Sequence, residues 1–141
     1  MSVTSLLLPV FVQVGLTFAI MVWMAKERRQ ALLTGQVKPR DVSLRQPNWP
    51  LRATQIANYF HNQLELPMLF YVLVAFILIT RTNDIIFVVL AWVFVVARLA
   101  HAYVHTGSNE VPKRFAAQTV AALALVVMWI IFAVRILSVG A

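Results

Sequence analysis

The sequence contains no cysteine, and only five acidic residues stand against twelve lysines and arginines. Without cysteine there is no disulfide, no thiolate metal site and no cysteine nucleophile. Charged residues of both signs make up only 12% of the chain. That is too little for a soluble domain, because a compact globule still needs a polar exterior. No Walker motif, Ser-His-Asp arrangement or glycine-rich phosphate loop occurs, and Gly35-Gln36-Val37 has no phosphate-binding context. There is also no internal repeat of the kind that builds large transporters from inverted halves.

What the chain has instead is apolar sequence, 61% of it, with a mean hydropathy of +0.80. It falls into four runs, each matching the ~20 residues that a helix needs to cross a bilayer. The expected spans are residues 5–25, 54–80, 85–105 and 112–137. The implied fold class is an all-α integral membrane four-helix bundle, a single domain over residues 1–141. The first run lacks a basic n-region and is longer than a signal-peptide core, so it reads as a retained span. Pro67 inside the second run predicts a kink. The short turn Arg81-Thr82-Asn83-Asp84 makes spans two and three antiparallel neighbours.

The net charge of +7 is placed unevenly. Lys26, Arg28, Arg29, Lys38, Arg40, Arg45 and Arg52 all fall between spans one and two, opposed only by Glu27 and Asp41. A basic segment between apolar spans is the positive-inside signal. Residues 26–52 are therefore expected in the cytoplasm, with both termini on the opposite side, and anionic headgroups rather than nucleic acid are the expected partner of this charge. Pro39, Pro47 and Pro50 break the segment, and Trp49 reads as an interfacial anchor.

Polar residues inside the second and third spans are the candidate site, since each is expensive in hydrocarbon and needs protein or trapped water around it. Asn58, His61, Asn62 and Glu65 are spaced i, i+3, i+4, i+7; Arg98, His101 and His105 are spaced i, i+3, i+7. Each set forms one stripe of a helix. Two stripes at matching depth on antiparallel neighbours should face each other, with Glu65 and Arg98 as the charge pair. One interpretation is interhelical glue. Another is a cationic, donor-rich pocket for an anionic amphipathic molecule, with Lys26, Arg28, Arg29 and Arg114 at the same face. A third is a metal site from the i, i+4 pairs His61/Glu65 and His101/His105, opposed by the nearby charge of Arg98 and Arg114.

Four spans, a basic first loop, Asn-x-x-Glu followed by Pro in span two, Arg-x-x-His in span three and Pro-x-Arg after it together resemble the MAPEG family, the membrane-associated proteins of eicosanoid and glutathione metabolism. The resemblance covers nearly the whole chain. It implies a homotrimer of four-helix bundles in a bacterial-type member, placed in the inner membrane, with glutathione as cofactor between subunits on the cytoplasmic side and an apolar small molecule as substrate. Carried over residue by residue, Asn62 and Glu65 match groups that hold the peptide, and His61 replaces a basic residue. Arg98 and His101 match the arginine and histidine of span three, and Lys26 lies where the prostaglandin E synthase branch has arginine. Arg114 matches the arginine that stabilises the glutathione thiolate. Asn58 and His105 join the set through their place in the stripes. Phe115 replaces a serine, while His105 and Gln118 replace tyrosines, so the implied transferase or peroxidase activity stands beside a non-catalytic alternative that binds an anion.

Overall fold

The computed structural model describes residues 1–44 and 48–140. The expectations placed on Arg45 and Pro47 lie outside the described residues. Helix α1 runs Val3–Leu33, α2 Leu51–Asn62, α3 Leu66–Ile79, α4 Ile85–Thr106 and α5 Val111–Val139, with one 3-10 turn at Pro39–Asp41. Among the described residues, four segments are long and apolar enough to cross a membrane: Val3–Leu33, Leu51–Ile79, Ile85–Thr106 and Val111–Val139.

Helix α1 does not stop at the basic cluster. It continues through Lys26–Arg29 to Leu33, because Ala, Leu, Lys, Glu, Arg and Gln all favour helix. At 1.5 Å per residue it is about 46 Å long, well beyond the ~30 Å hydrocarbon core. It ends at Thr34 and Gly35, whose φ of +73° suits a residue without a side chain. Asp84 caps α4 by accepting from the N–H of Ile86 at 3.0 Å and of Phe87 at 3.3 Å. Pro112 sits in the first turn of α5, where a missing N–H costs nothing.

Span two is broken, not merely kinked. Pro67 offers no N–H, so the carbonyl of Gln63 loses its helical partner. The chain tightens into i→i+3 bonds, Leu64 N–H to His61 O at 3.0 Å and Glu65 N–H to Asn62 O at 3.4 Å, before α3 begins. Irregular backbone is tolerated at membrane depth only where protein covers it. Here only Gln63 is covered: its buried Oε1 accepts from Gln13 Nε2 at 2.7 Å and from Thr17 Oγ1 at 3.2 Å, while Leu64 and Glu65 are exposed.

Two apolar cores flank this break. One joins α1, α3, α4 and α5 through Leu6, Phe70, Leu73, Phe87, Phe94, Leu125 and Met128. Phe70 and Phe94 stack with centroids 4.5 Å apart. The other joins α1, α2 and α4 through Ile20, Ile56, Tyr59 and Ala102. Large apolar side chains such as Phe11, Phe18, Leu123 and Val134 point outward, as the lipid-facing surface of a bundle requires. The start of α2 is fastened to the end of α4: Arg52 donates to the carbonyl of Thr106, and Gln55 Nε2 donates to that of His105 at 2.7 Å.

Candidate functional site

The polar groups gather at the end of the bundle that carries the 26–52 segment. Three helices each contribute one stripe: Asn58 and Asn62 from α2, His101 and His105 from α4, and Arg114 and Gln118 from α5. These six, with Val111 and Phe115, line a cleft of about 280 Å³.

Arg98 anchors the cleft from beneath and is fully buried. Its Nη1 donates to Gln118 Oε1 and lies 3.1 Å from His101 Nδ1, and its Nη2 donates to the backbone carbonyl of Asn62 at 3.4 Å. Guanidinium only donates, so His101 Nδ1 is the acceptor and the neutral ring carries its proton on Nε2. That Nε2 is buried without a partner, as are His105 Nδ1 and Asn62 Oδ1. Tyr59 packs edge-on against both rings, 5.5 Å from His101 and 5.0 Å from His105, and the two imidazoles stack on each other at 5.3 Å. Tyr59 also donates to the carbonyl of Arg98 at 3.3 Å. At the mouth of the cleft Arg114 Nη1 donates to Asn109 Oδ1 at 2.8 Å. Asn109 holds φ at +55°, a left-handed conformation that Asn tolerates better than most residues.

Five of the nine sequence-predicted site residues line this one cleft: Asn58, Asn62, His101, His105 and Arg114. Arg98 touches it through Gln118 and His101. His61 is exposed on the other side of α2 and lines a different cleft. Lys26 lies with Arg29 and Gln30 on another face of α1. Glu65 falls in the break, exposed and outside both helices. The expected Glu65–Arg98 ion pair is not formed; Arg98 bonds an amide, an imidazole and a carbonyl instead, through Nη1 and Nη2, and its Nε is buried without a partner. The break explains the difference, because it turns Glu65 off the stripe that an unbroken helix would have continued. His61, on the other side of α2, and Glu65, in the break, both lie away from the cleft of His101 and His105, and among the described residues no three His, Asp or Glu side chains are placed to hold a metal ion.

Sequence reasoning treated Gln118 only as a departure from a tyrosine, whereas it is the direct partner of Arg98. The signal was present in its i, i+4 spacing from Arg114, which puts both on one face of α5. Tyr59 falls on neither polar stripe, so spacing alone does not single it out.

Antiparallel apolar spans around a polar, cation-rich cleft at the basic end define a polytopic α-helical integral membrane protein. The chain belongs to the MAPEG family, whose sequence model matches residues 6–134. No curated protein and no solved structure matches it.

Proposed function

We propose that this protein is a glutathione-dependent transferase or peroxidase acting on apolar molecules delivered from the bilayer, and that it works as a homotrimer with the cleft completed by a neighbouring subunit. One observation carries the reading. Arg114 lines one cleft at the basic end of the bundle together with Asn62, His101 and His105, each of which carries a buried polar atom without a partner. Each of these buried atoms costs free energy until a ligand or water meets it. A peptide with carboxylate, amide and ammonium groups supplies both donors and acceptors.

The residues fit such a ligand in kind, but one subunit provides only part of the wall. A volume of about 280 Å³ is at the small end for a ligand site, for which ~300 Å³ is a common lower bound. Lys26 and Glu65, exposed away from the cleft of their own subunit, are free to serve a neighbour's.

Bound glutathione supplies the sulfur nucleophile. Arg114 favours the ionised thiol by placing a positive charge beside it. His101 offers the Nε2 proton to an acceptor, and Arg98 holds that ring in the required tautomer through Nδ1. Asn62 Oδ1 accepts from an ammonium or amide. Phe115 and Val111 form an apolar lip on the path from the lipid.

A binding-only role is favoured by one feature. Phe115, 71% exposed beside Arg114, gives the cleft no hydroxyl next to the thiol position. Titration calorimetry with glutathione in detergent, thiolate ultraviolet absorbance and a conjugation assay separate the two. Binding with thiolate absorbance and turnover supports the enzyme; binding without either supports the ligand-binding role; no binding removes both. Native mass measurement should give three copies, and a monomer that still binds glutathione would remove the intersubunit arrangement.

A further inference from the structure

A second and larger cleft, of about 660 Å³, opens on the other side of α2. It lies between the extension of α1 past its charges, residues 42–44 with Trp49, and α2. Its volume is within the ~300–1,000 Å³ range of small-molecule sites. It shares Asn58 with the first cleft, but none of Arg114, Gln118, His101 or His105 lines it.

Its chemistry is different too. Met24, Val42, Leu44, Ala57 and Phe60 make the walls apolar, and no Asp or Glu lines them. Among the described residues the arginine that lines it is Arg28. Its guanidinium carbon sits 5.1 Å from the centroid of the Trp49 ring, within cation–π range. Arg28 Nε is buried without a hydrogen-bond partner, and among the described residues Arg28 makes no ion pair. Ser43 and Thr54 add hydroxyls to the lining. Asn58 and His61 complete the polar part of the lining. A half-buried cation with an unmet donor, set beside apolar side chains, calls for one anionic group attached to an apolar body.

We propose that this cleft binds an amphipathic anion, with a carboxylate or phosphate head on Arg28 and an apolar body along Met24, Leu44 and Phe60. The site is separate from the glutathione cleft and does not depend on that assignment. Two sources share this chemistry: the phosphate of an anionic bilayer lipid and a free long-chain carboxylate.

The test places the full chain in phosphatidylcholine nanodiscs and measures binding of laurate, dodecyl phosphate and, as a cationic control, dodecyltrimethylammonium. The two anions should bind and the cation should not. Arg28→Gln should weaken anion binding by about tenfold or more, as loss of a charge-assisted hydrogen bond does, while Arg28→Lys should retain most of it. Arg29→Gln is the control for diffuse attraction, because Arg29 faces a different surface. An equal loss in Arg29→Gln and Arg28→Gln would overturn the site. So would equal binding of the cation, or displacement of laurate by glutathione together with a loss in Arg114→Leu. Should Arg28→Gln fail to fold, Ser43→Trp fills the cleft from an exposed position, and undiminished binding in that variant would also refute the proposal. Displacement of laurate by phosphatidylglycerol at low mole fraction identifies a bilayer lipid as the source; retention of laurate identifies a free carboxylate.

Discussion

Arg98 is held by Gln118, not by Glu65. The cation buried deepest in the bundle therefore rests on a neutral amide from α5, an imidazole from its own helix and a backbone carbonyl at the end of α2. A buried charge held in this way ties three helices together at the base of the cleft. It leaves the exposed carboxylate of Glu65 available to something outside the subunit.

This predicts a specific pattern of coupling. Gln118→Leu should destabilise the protein by about 2 kcal/mol, because Arg98 loses a charge-assisted partner while remaining buried. Arg98→Met combined with Gln118→Leu should cost less than the sum of the two single changes. Arg98→Met and Glu65→Gln should instead be additive within about 0.5 kcal/mol. Thermal unfolding in detergent without ligand measures all three cycles. Strong coupling between residues 65 and 98 would contradict the arrangement.

The spans were legible in the sequence because bilayer length and apolar runs leave little choice, and the observed ends differ from the expected ones by a few residues. The exception is α1, where good helix formers carry the helix past its charges. The stripe on α4 was legible for the same reason: Arg98, His101 and His105 lie on an unbroken helix, and all three are buried. The stripe on span two was only half legible. Periodicity assumes one continuous helix, and the chain breaks at residues 63–65. A single proline shows in the sequence, but the size and position of the distortion depend on which tertiary partners meet the buried side chain of Gln63. Those partners, Gln13 and Thr17, are fifty and forty-six residues away in the chain.

The Gln13–Gln63 contact should therefore matter more than its neutral chemistry suggests. Gln63→Leu leaves Gln13 buried and unpaired, which should cost about 1–3 kcal/mol. Gln13→Leu should cost a similar amount, and the double leucine variant should recover much of the loss. Amide hydrogen exchange at residues 63–66 gives a second readout. It should rise in Gln63→Leu if the pair supports the break, and unchanged exchange would mean that it does not.

At the opposite end of the bundle, Asp84 caps α4 and pairs with Arg135 of α5. Burial pushes its carboxyl pKa up, but the Arg135 guanidinium and the N–H groups of Phe87 and Ile86 outweigh burial and hold it below the ordinary value. A folded-state pKa below the unfolded one stabilises the native state above the unfolded carboxyl range and loses that contribution as pH falls through the lowered pKa. Melting temperature should fall on acidification below about pH 4, the unfolded carboxyl value. Asp84→Asn keeps a capping side chain without the charge and should flatten this dependence. An Asn variant with the native acid profile would show that other carboxylates set it.

Topology follows from the same polarity of the bundle. Reporter fusions at Arg40 and after Gly140 should give opposite signals, with Arg40 cytoplasmic, because the basic residues concentrate at the end carrying the 26–52 segment. The same orientation in an inner membrane would put both clefts within reach of soluble cytoplasmic molecules. A cytoplasmic C-terminus would move both clefts to the other compartment and remove cytoplasmic glutathione as a ligand.

The chemistry assigned to Arg114 can be separated from its role in binding. If its charge stabilises a thiolate, Arg114→Leu should raise the bound thiol pKa by about one to three units. A higher pKa means less thiolate at neutral pH, so turnover should drop steeply there and recover toward high pH, while glutathione affinity falls only modestly. Asn109 supplies a finer test, because its side chain orients Arg114 while its backbone holds φ at +55°. Asn109→Gly preserves that backbone conformation and deletes only the hydrogen bond. It should shift the pH–rate profile in the same direction as Arg114→Leu but by less, since the charge stays and only its position is released. Changes at Asn62 should instead weaken glutathione affinity without moving the profile. A uniform rate loss at every pH in Arg114→Leu would mean that the arginine binds the peptide and leaves its thiol untouched.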